Sequence, residues 1–155
     1  RSLSMIMQYR PSENKIIWYK QGAFSQQHDV DILDDSRIYF FNNNVKFYSN
    51  GRRVDNNSEV MIYDFSNDSL YKYQNTAFIQ NEIRTTTSGL SEILPDGSIL
   101  VEETNSGRYL NINSDGNLKF TFLNRSKNGV YRVAWSRALY NKFDLNTVNK
   151  FKDEL

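Results

Sequence analysis

His28 is the only histidine in the chain, and it heads the run Gln26-Gln27-His28-Asp29-Val30-Asp31-Ile32-Leu33. An imidazole is neutral and nucleophilic near pH 7, so it can take up an electrophilic group and pass it on. The same side chain serves equally well as a hydrogen-bonded member of a β-sheet, and residue type alone leaves both roles open. Asp29, Asp31, Asp34 and Asp35 surround it with acid and raise calcium as a ligand. They lack the glycine and the distal glutamate of an EF-hand loop, and Asp34-Asp35 reads as turn chemistry. No cysteine is present. That excludes a disulfide scaffold, a thiolate zinc site and a cysteine nucleophile. Neither a metal nor a cofactor is expected.

The elements that position His28 are strands. Two apolar runs, up to Leu33 and from Ile38-Tyr39-Phe40-Phe41, flank the polar turn Asp34-Asp35-Ser36-Arg37 and read as a β-hairpin. The figure returns as Glu92-Ile93-Leu94, Pro95-Asp96-Gly97-Ser98 and Ile99-Leu100-Val101. Aligning the two hairpins pairs His28 with Gly89 and brings Ser88 and Ser91 to the same end. Alternation along a strand puts His28, Val30 and Ile32 on one face, with His28 ending an apolar stripe and Asp29 pointing the other way.

Further strands are read at Ser4–Tyr9, Lys15–Lys20, Glu59–Phe65, Leu70–Gln74, Gly107–Ile112, Leu118–Leu123 and Val130–Trp135. Residues 49–58 are read as a polar excursion, and the segment after Gln74 as a Thr/Ser-rich link. Turns at Ser12-Glu13-Asn14, Ser66-Asn67-Asp68 and Ser114-Asp115-Gly116 recur at intervals of 54 and 48 residues. Four short strands per unit of about fifty residues is the pattern of a β-propeller blade. The fold class expected is therefore all-β. It comprises blades of four antiparallel strands, about two and a half of them over residues 1–140, as part of a larger propeller. Residues 141–155 form a C-terminal tail, and weak helical spacing begins at Tyr140.

Ten tyrosines and ten phenylalanines fit pleated, half-buried surfaces. The net charge is +1, with Arg52-Arg53 the only adjacent basic pair, so no nucleic-acid partner is expected. No run approaches the ~20 apolar residues of a membrane span. The chain begins at Arg1 rather than Met, and the expectation is a processed chain or part of a longer product. It ends Lys152-Asp153-Glu154-Leu155, which matches an ER-retention address. A periplasmic or secretory setting is expected, with the ER lumen open from that ending.

Ile17-Trp18, Gln27-His28-Asp29-Val30 and the ending Phe40-Phe41-Asn42-Asn43, taken in order, resemble the tryptophan, Gln-His and "FDNG" run of bacterial arylsulfotransferase-like propellers. Ser91-Glu92-Ile93-Leu94-Pro95-Asp96-Gly97, Glu102 to Arg108 and Trp135-Ser136-Arg137 fit the same pattern. The resemblance runs from about Ile16 to Tyr140 and corresponds to the C-terminal part of a family member. It implies an axial channel that binds an aryl sulfate, a catalytic histidine at His28 that carries the sulfuryl group, and a phenol as acceptor. Ser88, Ser91, Arg137 and Asn42 are the candidate substrate-binding residues, with Arg108 a further basic side chain near a family-like motif. The other channel groups of the family belong to earlier blades, supplied by the same protein, another chain or a second copy. Asn42 stands where the family run has Asp, Asn44 where it has Gly, and Leu90 where related sequences often carry Arg. The alternative is a propeller that keeps the fold without the chemistry, as an interaction scaffold or a small-molecule or glycan-binding module.

Overall fold

A computed structural model of the chain describes residues 2–139. The tail at 141–155, with its Lys-Asp-Glu-Leu ending, lies outside the described residues.

Two four-stranded antiparallel sheets and one two-stranded sheet are stacked. The first full sheet takes β3 (His28–Ile32), β4 (Arg37–Asn42), β7 (Glu59–Asp64) and β8 (Ser69–Tyr73) in the order β3-β4-β7-β8. The second takes β9 (Leu90–Ile93), β10 (Ile99–Glu103), β11 (Arg108–Ile112) and β12 (Leu118–Leu123) as a meander. Ahead of them, β1 (Met5–Arg10) and β2 (Lys15–Gln21) form a hairpin alone. The chain is all-β in units of four antiparallel strands, with half a unit in front. The recurring turns join β1 to β2, β7 to β8 and β11 to β12. At the first, Asn14 adopts the left-handed conformation (φ 49°) that Asn tolerates better than most residues.

Period-two alternation explains the stacking. Tyr39, Phe41, Val60 and Ile62 face the second sheet and bury with Ile99, Val101, Leu110 and Ile112. Phe40 and Met61 face the other way and bury with Ile6 and Phe24, with Trp18 packed against them. Adjacent phenylalanines on opposite faces are thus both fully enclosed, each worth about 1.5–3 kcal/mol of burial.

Three sequence expectations are corrected. Val45–Tyr48 (β5) and Gly51–Val54 (β6) form a hairpin inside the polar excursion. A short helix, α1 (Asn75–Gln80), occupies the Thr/Ser-rich link because Ala77 and Phe78 plug the core between the sheets. The strand expected over 130–135 reduces to Gly129–Val130 (β14), paired with Arg125–Ser126 (β13). Beyond it the chain runs as an unpaired strap. Tyr131 still donates to the Asn124 carbonyl, and further along carboxylates take the amides: Ser136 donates to Glu102 and Ala138 to Glu92, each at 2.8 Å. The strap passes so close to Gly107 that a Cβ there would lie 1.9 Å from the Tyr131 carbonyl oxygen.

Candidate functional site

The edge strands β3 and β9 begin side by side, and their starts form the candidate site. His28 opens β3, and the register with β4 slips between His28 and Val30. The cause is Asp29, whose φ of 54° makes a β-bulge. His28 pairs with Phe41, while Val30 pairs with Phe40. Directly opposed residues share a face, so His28 lies on the side of the second sheet and Val30 and Ile32 on the side of β1–β2. The shared face expected for His28, Val30 and Ile32 is therefore corrected, and so is the opposite orientation of Asp29. Both His28 and Asp29 line one cleft of about 280 Å³, together with Ser88, Glu102, Thr104 and Trp135.

The second sheet holds the bulge open. The Ser91 amide donates to Asp29 Oδ2 at 2.8 Å, bridging β9 to β3. Burial raises the Asp29 carboxyl above its ordinary pKa, and the Ser91 N–H partly offsets that. Behind the cleft, the Asn43 side-chain amide donates to the Thr85 and Ser88 carbonyls, fixing the approach to β9 against the end of β4. Gln27 donates to the Met5 carbonyl at 2.6 Å and ties the approach to β3 onto β1.

The candidate residues separate into three groups. His28 and Ser88 share the cleft just described. Ser91 and Arg137 come together next to it, in a small crevice with Tyr109 and in a cleft of about 230 Å³ with Asp31, Tyr39 and Glu92. The Ser91 hydroxyl oxygen is buried without a hydrogen-bond partner. Burial pushes Tyr39 and Tyr109 up to about 12, so both phenols are neutral over the physiological range. Asn42 belongs to neither cleft lining. It is fully buried, donates to Glu59 and accepts from the Ser25 and Asn44 amides. Arg108 likewise serves the frame: it pairs with buried Glu103 and donates to the Asn81 and Glu82 carbonyls.

Glu102, Thr104 and Trp135 are cleft residues that lie in the family-like runs of the sequence but were not named there as site residues. A glutamate closing the apolar run Ile99-Leu100-Val101 was the available signal. Its carboxylate is 1% exposed, accepts the Thr104 hydroxyl at 2.8 Å through Oε1 and anchors the strap through Oε2. That anchor places Trp135 on the rim.

A larger cleft, about 640 Å³, lies at the far ends of the hairpins between Leu33, Tyr71 and Pro95. Its charged pair, Asp34 and Arg37, is satisfied internally. Among the described residues, no group of three or more His, Cys, Asp or Glu side chains could hold a metal ion, and no helix is long and apolar enough to cross a membrane. No curated protein and no solved structure matches the chain. The family model for arylsulfotransferase (ASST) matches residues 1–125, which take in both full sheets and His28 but not Trp135 on the rim of its cleft. With most of its length matched in this way, the chain belongs to the arylsulfotransferase family.

Proposed function

We propose that the chain is part of a larger β-propeller that transfers a sulfuryl group from an aryl sulfate to a phenol through His28. The observation that carries this reading is the bulge at Asp29, which turns the chain's one histidine into the cleft between inner strands in a member of this family. In the first half-reaction a ring nitrogen of neutral His28 attacks sulfur, the S–O bond to the aryl group breaks, and the phenolate leaves. In the second, a phenol oxygen attacks sulfur, the N–S bond breaks, and the phenol proton is released to solvent or to a carboxylate. Ser91 and Arg137, together beside the His28 cleft, supply a hydroxyl and a cation suited to the sulfonate oxygens. Ser88, on the cleft itself, is a second hydroxyl donor. Asn42, proposed from the family run, acts at one remove by holding the end of β4. Blades from the same protein, another chain or a second copy complete the ring.

A second reading, a non-catalytic binding module, is favoured by one observation. The His28 cleft is lined by Asp29 and Glu102, and among the described residues neither lysine nor arginine lines it. Two carboxylates oppose an anionic ester. Intact-mass measurement after incubation with an aryl sulfate separates the readings. The transferase reading requires a sulfuryl adduct that maps to His28, is discharged by a phenol and is absent from His28→Ala. A chain that never acquires the adduct, even when assembled with the remaining blades, is the binding module.

A further inference from the structure

We propose that Asn67, in the turn between β7 and β8, carries an N-linked oligosaccharide. This goes beyond the function proposed for the His28 cleft. Its premise is the secretory setting, one of the two expected from the sequence.

Three Asn-x-Ser triplets stand in the chain, at Asn56-Asn57-Ser58, Asn67-Asp68-Ser69 and Asn124-Arg125-Ser126. With x other than proline, the triplet is the acceptor pattern for N-glycosylation, and the sugar it takes is bulky and belongs on an exposed loop. The fold separates the three. Asn56 and Asn124 lie at the sheet ends where β3 and β9 begin, and both side-chain amides are committed. Asn56 donates to Asn57 Oδ1 at 2.8 Å. The hydroxyl of its triplet, on Ser58, is fully buried where it accepts the Thr85 amide. Asn124 donates to the Arg132 carbonyl at 3.0 Å, while its own carbonyl takes the Tyr131 amide. A sugar on that nitrogen would wedge between the end of β12 and the strap.

Asn67 sits at the other end of its sheet. There β7 meets β8 beside the 34–37 turn, and the Phe65 amide donates to the Ser36 carbonyl. Asn67 is exposed. Its Oδ1 accepts the Ser69 amide at 3.1 Å, an Asx turn that holds the carboxamide. Among the described residues nothing accepts from its Nδ2. Asp68, at φ 53°, is held by Tyr63 and by Lys20 of β2, so the turn is braced and the flanking unit is present beside it in its outer strands. Strands that complete that unit add to the free edge of β1, away from Asn67. In the reaction, Asn67 Nδ2 bonds to the anomeric carbon of a lipid-pyrophosphate-linked oligosaccharide. The bond from that carbon to the pyrophosphate oxygen breaks, the lipid pyrophosphate leaves, and one amide proton passes to a base of the oligosaccharyltransferase.

The test translates the 155-residue chain behind a cleavable secretion leader into endoplasmic-reticulum microsomes. A reporter triplet on a flexible linker ahead of Arg1 records entry into the lumen. Enzymatic glycan release in heavy-oxygen water converts each occupied asparagine to a labelled aspartate, and peptide mapping then gives the occupancy of each site. Asn67 should be occupied several-fold more than Asn56 or Asn124. Asn67→Gln and Ser69→Ala should each abolish that glycan, and Ser69→Thr should retain it. A chain whose reporter is glycosylated while Asn67 is bare overturns the proposal, and so does equal occupancy of all three triplets. Either result leaves the adduct measurement at His28 unaffected, because the turn lies at the opposite end of the sheet.

Discussion

The hairpin β3–β4 opens on His28 and the hairpin β9–β10 on Gly89, positions that coincide when the turns at 34–37 and 95–98 are aligned. Both sit where an edge strand begins, and both neighbour a residue with positive φ, Asp29 at 54° and Ser88 at 57°. At Gly89 a Cβ would lie 2.7 Å from Phe41 Cε1 and 2.8 Å from Thr85 Cγ2. The packing that encloses Phe41 leaves room for a side chain in the first copy and for none in the second. A repeat can thus keep its fold in every copy and admit a side chain at this position in only one, because a single aromatic ring serves the interface between them.

The ends of β4 and β10 differ in the same way. Asn42 closes β4 as a neutral amide that donates to the Glu59 carboxylate, whereas Glu103 closes β10 as a buried carboxylate bound to Arg108 and the Arg84 amide. The largest loss is expected at Glu103→Ala. It strips the partner from a half-buried guanidinium, and breaking a buried pair costs about 3–5 kcal/mol, measured by urea denaturation. Glu103→Gln, which keeps an acceptor, should recover part of it.

Next comes Gly89→Ala. Its φ of 94° and the contact with Phe41 combine backbone strain with overpacking, together about 2–4 kcal/mol. His28→Ala should be the milder change in the first copy. If the two cost the same, the asymmetry between the copies is not set by Phe41. Asn42→Ala ranks third. It leaves the Ser25 and Asn44 amides and Glu59 short of a partner, about 1–3 kcal/mol, measured by the same denaturation.

The same comparison shows what could be read from sequence. Both hairpins and the outer turns were legible because period-two alternation and Asp, Asn and Gly turn residues are local signals. The bulge at Asp29 was not, since it depends on the Ser91 amide sixty-two residues away. Helix α1 has no side-chain cap at its start and is fixed by Phe78 in the core, again a tertiary cause. Around 130–135, alternation suggested a strand, but Glu102 and Glu92 from the second sheet claim the amides that follow. The His28 site was therefore half legible. Its histidine, Asp29 and serines could be named, while Glu102 and the Trp135 indole were set beside them only by the fold.

The smallest expected effect sharpens the comparison at Asp29 itself. Burial raises its folded-state pKa, whereas partners hold Asp34, at the other end of the same hairpin, down at about 2. The signs are opposite. With a raised pKa, the folded chain holds the proton more tightly than the unfolded chain does. Stability contributed at Asp29 therefore falls as pH rises from the ordinary aspartate range through the raised value, and is flat above it. Asp34 contributes stability above its unfolded pKa and loses it as pH falls toward 2. Asp29→Asn keeps an acceptor for the Ser91 amide and removes the titration. Compared by urea denaturation across the acid range, the variant should gain on the native chain as pH rises through that window. The gain should stay below about 1 kcal/mol, because the carboxyl is partly exposed and screened. Asp34→Asn should instead lose ground over the range in which Asp34 ionises. A native chain and Asp29→Asn with parallel profiles would mean that the strain of the bulge, and not the charge on its carboxylate, governs this end of β3.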